Sequence, residues 1–150
     1  MEPLIITGHA NAMLGSGWEK RWDVATLSRE CGDQVVIPKE EGPERGHAED
    51  SWANLKDTPK TTLFEYLQGW EGQSLEGKPY VFDWSIQSHC PMMLENLTMP
   101  AYFSGDLLQD LPSDQGIAAK SAWPSLLVGP EGSGCGLHQD SLGSYYHHSG

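Results

Sequence analysis

Basic residues are scarce in this sequence: nine Lys and Arg stand against 21 Asp and Glu, a formal net charge of −12. A surface that grips nucleic acid needs Lys and Arg to neutralise phosphates, so direct nucleic-acid binding is not expected. The acidity speaks for solubility rather than for a fold. Cysteine is scarce too. Cys31, Cys90 and Cys135 are far apart, odd in number, and form no Cys-x-x-Cys pair. That spacing supports neither a zinc ribbon nor a disulfide framework, and the expectation is three reduced thiols. Long apolar runs are missing, none approaching the roughly 20 residues that span a bilayer. The opening Met-Glu-Pro-Leu-Ile-Ile-Thr-Gly is neither a signal peptide nor an Arg-rich transit peptide. An intracellular protein of nucleus or cytoplasm, away from membranes, is the expectation. No internal repeat is present. The glycines at 132–136 lack the Gly-Lys-Ser/Thr ending of a phosphate loop. Ser125 and Ser133 lack the nucleophile-elbow context of a serine hydrolase.

What is present suits a packed domain. Hydrophobic residues make up 38%, with six Trp and five Tyr, too apolar and aromatic for a disordered chain. A length of 150 residues is enough for one domain. The six Trp are expected in the core and its seams, because aromatics supply much buried area. His9, His47 and His89 are scattered and expected at the surface, and Tyr102 is expected to pack.

Residues 3–6 read as a short strand closed by Gly8. Residues 24–30 predict a helix, with Asp23 as N-cap and Gly32 as its stop. Residues 34–37 predict a strand ended by Pro38. Residues 39–50, rich in Glu, Gly and Pro, predict a solvent loop. A second helix is predicted at 63–68: Thr62 with Glu65 fits a capping box, and Leu63 and Leu67 share a face. Residues 80–84 are aromatic and β-branched, a strand signature. A short helix at 91–97 and a helical turn at 106–111 follow. Residues 125–129 form an apolar run between Pro124 and Gly129, predicted as a buried strand. Helices early and strands late suggest helices decorating a β-rich core rather than alternating βαβ units.

The last segment is Gly132-Ser133-Gly134-Cys135-Gly136-Leu137-His138-Gln139-Asp140. Alternate residues of a strand share a face, so His138 and Asp140 would stand about 6.6 Å apart on one side. From there an imidazole and a carboxylate can both reach one metal at about 2 Å. They make two-thirds of the 2-His-1-carboxylate triad, which holds Fe(II) and leaves sites open for co-substrate and oxygen. His-x-Asp alone has a structural alternative, a strand-end His beside a turn Asp that caps its own backbone.

Residues 123–143, from Trp123-Pro124 through Gly129-Pro130 and the Ser-Gly turn to His138-x-Asp140 and Leu142-Gly143, resemble the core of JmjC domains. The nearest likeness is to the cupin-like branch of protein hydroxylases and phosphatidylserine-receptor-like proteins. Glu2-Pro3-Leu4-Ile5-Ile6, Trp22 to Leu27 with Cys31-Gly32-Asp33, residues 63–67 before 80–83, and Ala101-Tyr102-Phe103 through Asp106-Leu107-Leu108 resemble family pieces in order and spacing. The resemblance implies an α+β chain, mainly β with short N-terminal helices, that is an incomplete double-stranded β-helix (jelly roll). Residues 1–150 would be the N-terminal portion of one JmjC/cupin-like domain, with a lead-in at about 1–122 and the β-helix beginning at about 123–150.

The same resemblance makes His138 and Asp140 iron ligands and puts Cys135, where the family often has Thr, against the 2-oxoglutarate carboxylate. Its implied cofactors are Fe(II) and 2-oxoglutarate, its implied partner a protein substrate, its implied reaction side-chain hydroxylation or demethylation. A distal His and a basic residue complete the family site further along the chain. His147 and His148 are too close to Asp140 to serve. The expectation is therefore an enzyme fragment, inactive and poorly stable by itself. The alternative is a non-catalytic cupin-like binding or scaffold protein.

Overall fold

A computed structural model describes residues 7–42, 54–70, 78–95, 97–99, 101, 105, 110–112, 114 and 117–135. Helices α1 (Ala10–Leu14), α2 (Trp18–Arg21) and α3 (Val24–Cys31) come first. Strands β1 (Val35–Val36), β2 (Lys39–Glu41), β3 (Leu55–Asp57) and β4 (Thr61–Thr62) follow, then helix α4 (Leu63–Gln68). Strand β5 (Val81–Ser85) runs into α5 (Ile86–His89) and a 3₁₀ turn (Pro91–Leu94); α6 (Ile117–Ala122) then leads to β6 (Ser125–Val128). Among the described residues, helices thus mix with three two-stranded antiparallel sheets, β1–β4, β2–β3 and β5–β6. The class is α+β. Among the described residues no sheet closes into a barrel.

Local chemistry explains the helices. The Asp23 carboxylate accepts from the Thr26 N–H at 2.7 Å, satisfying one orphan donor of the first turn of α3. That hydrogen bond holds the exposed Asp23 carboxyl below its ordinary value. Thr62 and Glu65 form the complete capping box at the start of α4. The Thr62 N–H and the Thr61 hydroxyl both donate to the Glu65 carboxylate, which is likewise held low. Leu63 and Leu67, one turn apart, are both fully buried. They meet Leu27 of α3, Val36 of β1 and Val81 and Trp84 of β5 in one core.

Strand β5 has to place Val81 and Trp84 on the same side, although three residues separate them. A regular strand would put them on opposite faces. The register with β6 shifts between these two positions, and Asp83 there takes a left-handed φ of 52°. That bulge resets the alternation, so Val81 and Trp84 both enter the core. The Ser125 hydroxyl donates to the Asp83 carboxylate at 3.0 Å across the bulge. Among the described residues the indole N–H of Trp84 has no acceptor.

Three expectations need correction. Lys39–Glu41 is no loop. It pairs with Leu55–Asp57, and Lys39–Asp57 (2.6 Å) and Lys56–Glu40 (3.3 Å) ion pairs lie across the ladder. Polar composition hid a strand whose cross-strand partners are charged. Strand β6 is half-buried rather than buried, and Leu127 points outward with 40% of its surface exposed. The cysteines are not all reduced: Cys31 and Cys90, 59 residues apart, form a disulfide with Cα atoms 5.8 Å apart. Spacing along the chain could not show it, because packing of α3 and α5 onto a shared core brings the pair together. The expected strand at 3–6 and most of the helical turn at 106–111 lie outside the described residues. No helix among the described residues is long and apolar enough to cross a membrane.

Candidate functional site

The expected ligand strand is approached through β6. Its partner β5 runs antiparallel, with Val81 opposite Val128, so Tyr80 falls beside Gly129. There is no room for a side chain at Gly129: a Cβ would collide with the Ser133 hydroxyl and the Tyr80 Cβ. The chain then turns through Pro130–Ser133. The Ser133 N–H (3.0 Å) and hydroxyl (2.9 Å) both donate to the Pro130 carbonyl. Gly132 takes a left-handed φ of 83°, which glycine adopts without steric cost, and the Lys78 side chain lies over it. This compact turn delivers Cys135.

Cys135 is half-buried and stands outside the disulfide. Its thiol lies near enough to the Tyr80 phenol for the two to act on each other electrostatically. Tyr80 is itself buried, and its backbone exchanges two hydrogen bonds with Lys39 of β2, at 2.7 and 2.8 Å. Burial first, and then Cys135 and the Asp83 carboxylate, push the Tyr80 phenol well above its ordinary value, so it stays protonated as a donor. Phe82 meets Tyr80 edge-on at 5.5 Å.

Beneath them, the Tyr66 hydroxyl of α4 donates to two carbonyls, Pro79 at 2.9 Å and Val128 at 3.1 Å. These carbonyls belong to the residue before Tyr80 and the residue before Gly129. One phenol therefore ties the lead-in of β5 to the exit of β6. Burial raises the Tyr66 phenol to about 12, so it too is a committed donor. The indole of Trp70 meets Tyr66 edge-on at 5.6 Å.

His138 and Asp140, the expected iron ligands, lie outside the described residues, as do Tyr102, His47, His147 and His148. Cys135 is the one expected site residue that is described. His9 is half-buried, and His89 is exposed, stacked flat on Trp84 at 5.4 Å. Among the described residues no three or more His, Cys, Asp or Glu side chains converge on a common point. Residues 80–84 carry a strand signature in the sequence, but nothing in it marks Tyr80 or Tyr66 as neighbours of Cys135. The signal was the pairing: once an aromatic strand and an apolar strand are set antiparallel, Tyr80 comes opposite the turn after β6. An open groove of about 260 Å³ lies among α1, α2, α3 and the 3₁₀ turn, lined by Leu14, Arg21, Trp22 and Met93 among others, with no expected site residue in it.

Comparison with protein-family models, with curated proteins and with solved structures finds no match to this chain.

Proposed function

We propose that the chain contributes the front part of a JmjC-type, cupin-fold Fe(II)- and 2-oxoglutarate-dependent oxygenase acting on a protein side chain. Its fold would be a double-stranded β-helix of which β5 and β6 form a part. The observation that supports this most is a juxtaposition: Tyr80 and Cys135 stand together, and Cys135 precedes His138 by three residues. His138 and Asp140 would hold the metal from one face of the following segment. With its co-substrate, Fe(II) would supply oxygen activation and oxidation of a C–H bond. The chain's own residues bind and orient. A thiol is a weak donor, so Cys135 by itself is a poor replacement for the Thr of the resembled pattern. The Tyr80 phenol, held protonated beside Cys135, would be the stronger donor for a carboxylate of 2-oxoglutarate. Hydroxylation is the end point, or demethylation where the oxidised carbon is an N-methyl group.

The competing reading, a non-catalytic cupin-like binding protein, draws support from Cys135 in place of Thr. One assay separates the two. Succinate formation from 2-oxoglutarate by the full-length protein, lost in His138→Ala, supports the oxygenase. Turnover equal in both proteins removes His138 from the mechanism, and no turnover in either supports the binding protein.

A further inference from the structure

The disulfide adds a covalent tie between two parts of the molecule that also meet through core packing, the Tyr66 hydroxyl on the Pro79 and Val128 carbonyls, and the Lys39–Tyr80 backbone pair. Cys31 ends α3, whose neighbour α4 is fixed to it by the Phe64 N–H on the Gly32 carbonyl at 2.9 Å. Cys90 caps the other end of the link, donating its N–H to Ile86 across α5 at 2.8 Å. Helix α5 grows directly out of β5, with the Ser85 side chain as its N-cap. The Ser85 and Ser88 hydroxyls both donate to the Ser121 carbonyl, and the Ile86 N–H donates to the Pro124 carbonyl at 3.2 Å. Ser121 and Pro124 are the approach to β6. So α5 grips the strand that leads to Cys135, and the disulfide fastens α5 to the helical half.

Both cysteines are almost wholly buried, Cys31 at 0% and Cys90 at 1% exposed. Exchange needs a thiolate in line with one of the sulfurs, and here that requires the core to open. We propose that the Cys31–Cys90 disulfide is a self-shielded redox latch: its state is set while the chain is open, retained once the core closes, and governs how firmly the β5–β6 arm is held. The inference rests on the functional reading only for what that arm carries. Its chemistry is ordinary exchange. To form the bond, an external disulfide takes two electrons and two protons from the Cys31 and Cys90 thiols and leaves as two thiols; to break it, a dithiol returns two electrons and two protons and leaves as a cyclic disulfide. A latch of this kind persists even in a reducing compartment for as long as the fold stays closed.

The test uses the wild-type chain and a Cys31→Ala/Cys90→Ala variant. Denatured without reductant, the wild type should release one titratable thiol, that of Cys135, and three after reduction. Three thiols without reductant would overturn the proposal. Dithiothreitol should reduce the folded protein roughly a hundredfold more slowly than the denatured one; equal rates would refute the shielding. Closing a loop of 59 residues leads one to expect the variant to melt about 10–15 °C lower. Amide exchange should then quicken in residues 80–90 and 125–128. Where the variant does not fold, wild type reduced in denaturant and refolded under reductant gives the same comparison. Unchanged exchange in those segments would show that the bond does not govern the arm. These readings involve neither iron nor 2-oxoglutarate, so they stand or fall apart from the proposed activity.

Discussion

Replacing Tyr66 with Phe removes one oxygen and leaves the ring in place. The lost hydroxyl serves two buried-side acceptors, the carbonyls of Pro79 and Val128. Removing one partner of a buried hydrogen bond costs about 1–3 kcal/mol, more than the bond's net worth, because the remaining groups are stranded. For a chain of this size that is a fall in melting temperature of roughly 3–10 °C. The site should respond as well, since the two carbonyls flank Tyr80 and Gly129. Alkylation of Cys135 by iodoacetamide should be faster in Tyr66→Phe than in wild type, because the Tyr80–Cys135 contact loses its support. Alkaline titration provides a third arm. The folded Tyr66 phenol sits near 12, above its ordinary value of 10.0. Its contribution is therefore whole below pH 10 and lost as pH rises toward 12. The wild type should lose stability over that range more steeply than Tyr66→Phe. A variant that melts with the wild type and labels at the same rate would refute the role assigned to this hydroxyl.

The two helix caps predict an acid response. Asp23 and Glu65 are held below their ordinary values of 3.8 and 4.5. Their stabilisation is present above those values and lost as pH falls through the lower folded ones. An Asp23→Asn/Glu65→Gln variant should show a shallower acid transition by circular dichroism; an identical curve would contradict this. Leu67→Ala, at a fully buried core position, should cost about 2–5 kcal/mol in urea unfolding. A cost under roughly 1 kcal/mol would mean that the core is not as described. Gly129→Ala forces a methyl against Ser133 and Tyr80. It should cost about 1–3 kcal/mol and raise Cys135 alkylation, whereas Gly134→Ala, in open space, should leave both near wild type.

What the sequence makes legible follows from how local each signal is. The caps of α3 and α4 are spelled out within four residues, so Asp23, Thr62 and Glu65 could be placed from the chain alone. Strand β5 was readable from its aromatic and β-branched content, but its bulge at Asp83 was not. A left-handed φ there depends on the register with β6, a non-local fact. The same limit hid β2 and β3, whose charged residues look like a loop until their partners across the ladder are known. It also hid the Cys31–Cys90 bond, whose residues meet only after the core forms. Cys135 stands out in the sequence by its place in the resembled motif. Tyr80 and Tyr66, 55 and 69 residues earlier in the chain, required the β5–β6 pairing.

Anaerobic binding of Fe(II) to the full-length protein tests most directly whether the imidazole of His138 and the carboxylate of Asp140 share one metal. The expected result is one ferrous ion per chain in the wild type and in His89→Ala. His138→Ala and Asp140→Ala should each weaken it by roughly tenfold or more. Equal affinity in all four proteins would contradict the account.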